Sequence, residues 1–164
     1  MVPSGLKPMA HLFSSTPLLG NYPISIMALK ITLKPHEKMI IDGAVIRNGN
    51  NKSDLIIENN VPILRRKDIL SETDADSPAR RIYFAIQLMY VDDRNLQLHH
   101  KNYWALVQDF IQAAPSVLPL IDEINDLILK GQYYQALKLA RDLIDYEKEA
   151  VQHAFESAAG VPSC

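Results

Sequence analysis

Asp42-Gly43-Ala44-Val45-Ile46-Arg47-Asn48-Gly49-Asn50, carried on after Asn51 by Lys52-Ser53-Asp54-Leu55-Ile56-Ile57-Glu58-Asn59-Asn60, is the stretch from which the first half of this chain is read. Asp-Gly and Asn-Gly take positive φ at little cost, as tight hairpins between twisted strands require. Asp42-Gly43 and Asn48-Gly49 bracket the β-branched run at 44–47, and a second run at 55–58 is closed by Asn59-Asn60. The pattern predicts a meander of strand, turn, strand, turn, strand. Its turns and edges carry Arg47, Asn48, Asn50, Asn51 and Lys52, a dense set of amide and cationic donors.

Upstream, Leu29-Lys30-Ile31-Thr32-Leu33 alternates apolar and polar residues, Lys34-Pro35-His36-Glu37 reads as a turn, and 38–41 as a second strand. Downstream, Val61-Pro62-Ile63-Leu64 reads as a fifth strand, held to an edge or a strand start by Pro62. Five short strands predict a small antiparallel sheet or open barrel. After an acidic loop at 71–76, Asp76 or Ser77 caps a helix whose first position is Pro78. Helices over 95–113, 116–130 and 132–155 follow by their apolar periodicity, the first of these taking Leu98, Trp104, Leu106, Val107, Phe110 and Ile111 as its apolar surface. Gly131 stands where a helix would end in the left-handed conformation. The fold class is therefore α+β: a five-stranded antiparallel β part over 27–76, then a bundle of about four helices over 77–157. Residues 1–26, rich in Pro, Gly and Ser, read as a disordered or non-native extension, and 158–164 as a flexible tail.

With 48% hydrophobic and 22% charged residues, the 164-residue chain falls in the ordinary range for a globular protein. Its net charge of −2 is unevenly spread: +1 over residues 1–26, +2 over 27–81 and −5 over 82–164. A polyanion would meet the β half. The single cysteine, Cys164, leaves no intrachain disulfide and no cysteine zinc site. No apolar run approaches the roughly 20 residues that span a bilayer. His99 and His100 point apart on a helix and read as surface histidines. Neither a phosphate-cradling glycine loop nor a hydrolase or metalloprotease motif occurs, so neither a cofactor nor an enzymatic activity is expected.

Two cationic groups have two readings each. Arg80 and Arg81 lie in the first turn of a helix, where the macrodipole disfavours cations; Asp74 and Asp76 would offset them, or backbone amides and guanidiniums would converge on an anion. Arg65, Arg66 and Lys67 end an edge strand, either guarding it against aggregation or lining, with Lys30, Lys34, Arg47 and Lys52, a surface that tracks phosphates. The sheet has no aromatic platforms, which favours backbone and edge contacts over base stacking.

Four separated motifs, Leu33-Lys34-Pro35-His36-Glu37-Lys38, the segment at 42–49, Leu64-Arg65-Arg66-Lys67-Asp68-Ile69 and Ser77-Pro78-Ala79-Arg80-Arg81-Ile82-Tyr83-Phe84, resemble in this order the FlbT family, flagellin-synthesis repressors of alphaproteobacteria. The likeness runs from about residue 27 to about 149. It implies a cytoplasmic, non-enzymatic regulator that binds the 5′ untranslated region of flagellin mRNA and promotes its decay. A second likeness, of 31–40 and 60–69 to the strands of carbon-storage regulators, implies RNA contact through Arg66; Leu33 stands where those proteins carry an arginine. The expected RNA-binding set is Lys30, Lys34, Arg47, Asn48, Lys52, Arg65, Arg66, Lys67, Arg80 and Arg81. The expected partners are the flagellin mRNA leader, flagellin or another flagellar regulator, and further copies of the chain; no membrane is expected. The rival reading is an adaptor or chaperone that acts on flagellin through the helical hairpin.

Overall fold

A computed structural model describes residues 28–159. The extension expected at 1–26 lies outside them, as does the expected tail from residue 160 onward. The class is α+β as the pattern predicts, with strands β1 (Leu29–Leu33), β2 (Lys38–Ile41), β3 (Ala44–Arg47), β4 (Ser53–Ile57) and β5 (Ile63–Arg65). Helices α1 (Pro78–Val91), α2 (Leu96–Ala113), α3 (Leu118–Leu129) and α4 (Tyr133–Ala159) follow, with short 3-10 turns between elements.

The strands form two antiparallel sheets, one of β1 with β4 and one ordered β3-β2-β5. They stack in layers. Met39 of β2 packs with Ile31, Leu33 and Ile57 of the first sheet, while its neighbour Ile40 joins Leu64 of β5 in the core shared with the helices. The β3-β2-β5 sheet is thus apolar on both faces, and the continuous run Met39-Ile40-Ile41 is the sequence pattern such burial demands.

The expected meander forms only in its first half. Asp42 (φ 48°) and Gly43 (φ 77°) make the two-residue turn between β2 and β3, and a Cβ on Gly43 would lie 2.9 Å from the Val91 carbonyl. Asn48-Gly49 makes no second hairpin: the described glycines with positive φ are Gly43 and Gly131. Instead the Asn48 side chain donates to the carbonyls of Leu33 (3.2 Å), Lys34 (2.8 Å) and Asn51 (2.9 Å), and accepts from Ser53 Oγ (2.6 Å). These bonds fasten the loop to the end of β1, so β4 pairs with β1 and not with β3.

A charged clasp joins the sheets. Glu37 is almost buried; its carboxylate accepts from the Lys34 backbone N–H (2.9 Å) and from Arg65 Nη2 (2.8 Å). Arg65 also reaches the Thr32 carbonyl (3.3 Å), tying β5 to β1. The Lys34 amide first, then Arg65, holds the Glu37 carboxyl below the usual glutamate value.

Ser77 caps α1, accepting from the Arg80 N–H, and Pro78 takes the first helical position, where its missing donor is not needed. Glu147 of α4 completes this end: its carboxylate accepts from the Ala79 N–H (3.1 Å) and from the Ser77 hydroxyl. α1 packs between α2 and α4. Along α2 the buried residues are His99, Tyr103, Val107 and Phe110, whereas Trp104 is 39% exposed and Leu98 55%. The surface-histidine expectation fails for His99, which packs inward and bonds Asp92 Oδ2 at 2.9 Å. α3 ends as a Schellman motif: Gln132 N–H donates to Leu127 O (2.8 Å), Gly131 N–H to Ile128 O (2.9 Å), and Gly131 sits at φ 70°.

Two outcomes follow. Gly131→Val forces a β-branched residue into the left-handed region and should cost about 1 kcal/mol or more, read as a lower thermal midpoint with unchanged helical circular dichroism. Glu37→Gln should lower stability at neutral pH. The depressed carboxyl of the wild type stabilises above its unfolded value of about 4.3 and loses that contribution as pH falls through the folded value. The two proteins' denaturation midpoints should therefore converge in acid; a gap that persists below that range would exclude the charged clasp as its source.

Candidate nucleic-acid interface

The 3-10 turn Arg66–Asp68 follows β5 directly, and its underside is pinned. Asp68 is buried and paired with the Arg141 guanidinium of α4. Arg141 Nη2 donates also to the Lys67 carbonyl (2.8 Å), and Tyr83 of α1 donates its hydroxyl proton to the Asp68 carbonyl (2.7 Å). An ion pair with its carboxylate buried and its guanidinium partly exposed holds geometry more than it adds stability. Here it fixes the turn with Arg66 and Lys67 outward and exposed.

These two, with Lys34, Pro35, Glu37 and Arg65, line an open concavity of about 700 Å³. Its one acid, Glu37, is neutralised by Arg65. Among the described residues, Lys34, Arg66 and Lys67 have no carboxylate within ion-pair distance. Three free cations around a compensated clasp leave a positive surface that fits phosphate oxygens.

The other expected residues are placed differently. Lys30 pairs with Asp54 across β1 and β4 (2.9 Å), and Thr32 Oγ1 donates to the same carboxylate (2.7 Å). The Thr32 bond, then Lys30, holds Asp54 below its ordinary value, with a smaller contribution from nearby Lys52. Asn48 spends both amide protons on backbone carbonyls, so its side chain belongs to the loop it locks. Arg80 is held by Asp76 (3.0 Å) and the Asp74 carbonyl (3.2 Å), and Arg81 Nε donates to Ala75 O (3.4 Å). The backbone amides beside them are taken, that of Ala79 by Glu147 and that of Arg80 by Ser77. Arg47 stands exposed on β3, directly opposite Lys38 of β2.

Lys38 was not among the expected residues. The β2–β5 register ends with Met39 against Arg65, and Arg66 opens the 3-10 turn that follows. Lys38 and Arg47 stand opposite each other at one end of the β2–β3 ladder. The signal was present in the sequence as the period of the strands, but only the register shows that these two cations lie opposite each other.

The sequence pattern of the family described as flagellar protein FlbT matches residues 29–151. A probable flagellum biosynthesis repressor protein FlbT 1 of Bradyrhizobium diazoefficiens is 48% identical over 124 residues, 75% of this chain and 84% of the relative. The flagellum biosynthesis repressor protein FlbT of Caulobacter vibrioides is 36% identical over 129 residues, 77% of this chain and 92% of the relative. A probable flagellum biosynthesis repressor protein FlbT of Mesorhizobium japonicum is 30% identical over 127 residues, 75% of this chain and 84% of the relative. No solved structure matches the chain. The matched span opens at the start of β1 and closes within α4, taking in both sheets and all four helices, and on that match the chain belongs to the flagellar protein FlbT family.

Proposed function

We propose that this protein represses flagellum biosynthesis after transcription, by binding the 5′ untranslated region of flagellin mRNA and promoting its decay. The names of its relatives support the repressor role. The observation that carries the RNA step is the concavity at the end of β5, where Lys34, Arg66 and Lys67 stand without carboxylate partners beside the Glu37–Arg65 clasp. Its recognition mode is phosphate tracking, because the described β half from 28 to 76 contains no Phe, Tyr or Trp to serve as a stacking platform. Arg66 is the main contact, its guanidinium offering a fork of donors to a phosphate; Lys34 and Lys67 add point charges. Such a regulator acts where the mRNA is, in the cytoplasm, and has no catalytic step. No described helix is long and apolar enough to cross a membrane.

In a gel-shift with the flagellin leader, Arg66→Ala should weaken binding, and its log–log salt dependence should flatten by about 0.7 for each lost single-strand phosphate contact. Circular dichroism should match the wild type, since the Arg66 side chain makes no ion pair among the described residues. Unchanged leader affinity in a folded Arg66→Ala protein would remove this surface from RNA binding. It would favour an adaptor that acts on flagellin through the α3–α4 hairpin.

A further inference from the structure

β3 is an edge strand with one side unused. The turn at Asp42-Gly43 closes on the pair Ile41–Ala44, and the Asn48 N–H reaches the Glu37 carbonyl at 2.9 Å. In an antiparallel ladder hydrogen-bonded pairs alternate. Both observations set the same phase: Ala44 and Ile46 turn their backbone groups toward β2, and Val45 and Arg47 turn theirs outward. Among the described residues nothing bonds to that outer side. Val45 sits at its middle with 71% of its surface exposed, and the strand lacks the central charge or proline that usually guards an edge.

Charge is distributed unequally along this edge. At one end Arg47 faces Lys38 across the ladder, a like-charge pair that destabilises a sheet unless something offsets it. At the other end a concavity of about 660 Å³ is lined by Asp42, Asp92 and Asp93, with Arg94 its only cation, and Gly43 and Val45 form its border with the strand. An edge positive at one end and negative at the other is self-complementary when a copy of itself runs antiparallel.

We propose that β3 pairs antiparallel with β3 of a second copy, with Val45 on the two-fold axis, making a homodimer with a continuous six-stranded sheet. In that register the outward backbone groups of Val45 meet those of the second Val45. Arg47 of each copy comes opposite Gly43 of the other, on the face where the acidic concavity opens. The Lys38–Arg47 repulsion is then offset by carboxylates from across the axis, and the exposed valines cover each other. The arrangement is isologous, so it closes at two copies and leaves no further β3 edge. With neighbouring strands about 4.8 Å apart, the two β5 strands lie about 24 Å apart on its outer edges.

The test is the solution mass of the full chain by light scattering or sedimentation. The wild type should run at twice 18.5 kDa, and Val45→Pro, which removes an outward N–H while leaving the β2–β3 bonds intact, should run at 18.5 kDa with unchanged circular dichroism. A wild type that stays monomeric at its highest soluble concentration overturns the proposal, and so does a folded Val45→Pro protein that remains dimeric. If Val45→Pro does not fold, Arg47→Glu carries the test. It should weaken dimerisation about tenfold or more, and Asp93→Lys in the same chain should restore it. An Arg47→Glu protein that dimerises like the wild type overturns the register.

Discussion

The two middle residues of β2, Met39 and Ile40, are buried on opposite faces of its sheet, and most of the architecture answers to that constraint. Met39 is sealed against the β1–β4 sheet and Ile40 against the helical core, so neither layer can be removed without exposing one of two adjacent side chains. The strands of the β3-β2-β5 sheet are only three or four residues long, at the short end for a strand. The sheet is stabilised by being the middle layer, with Leu64 of β5 extending the face that α1 and its neighbours cover. The polar bonds then act as fasteners between layers. Arg65 links β5 to the first sheet. Gln87 of α1 bonds both the N–H and the carbonyl of Leu70, at 2.7 and 2.9 Å. Tyr90 accepts from the Ile63 N–H.

The same economy shapes the surface charge. Glu37 and Asp68 are the acids of the β half that turn inward, each against an arginine, and Glu37 also against the Lys34 N–H. Lys34, Arg66 and Lys67, their neighbours in sequence, are left outward. The modest positive balance of residues 27–81 therefore understates the field at the end of β5, because one of the segment's acids, Asp68, is neutralised by Arg141 from α4. Charge patterning along a chain and charge patterning on a surface are different quantities, and burial of acids converts one into the other.

How far the sequence could be read follows from which interactions are local. The alternation of β1, the Asp42-Gly43 turn, the Ser77-Pro78 start and the Gly131 stop depend on bonds within a few residues, and each is found in the structure. Asn48-Gly49 looks the same locally, but its outcome is decided by the carbonyls of Leu33 and Lys34, fourteen and fifteen residues away. On α2 the inward face is carried by Tyr103 and His99, whose polar ends find Asn125 and Asp92. A reading by hydrophobicity turned that face toward Trp104 instead. Among the cations, nothing in composition separates Lys30, which finds Asp54 across the ladder, from Lys34, which finds no carboxylate. Pairing of that kind belongs to register, and register was not legible where the strand order itself was open.

Glu147 stabilises the start of α1 from 68 residues further along the chain, and Arg141 reaches Asp68 across 73. During synthesis both early segments must therefore wait for α4. At about 5–20 residues per second, that interval lasts roughly 3–15 s. For that time the nascent β half has its helix-facing side uncovered, the carboxylate of Asp68 has no guanidinium, and the β3 edge is free. The last helix is thus the closing element of the first half, and the order in which the chain leaves the ribosome sets a period in which this protein is most open to mispairing.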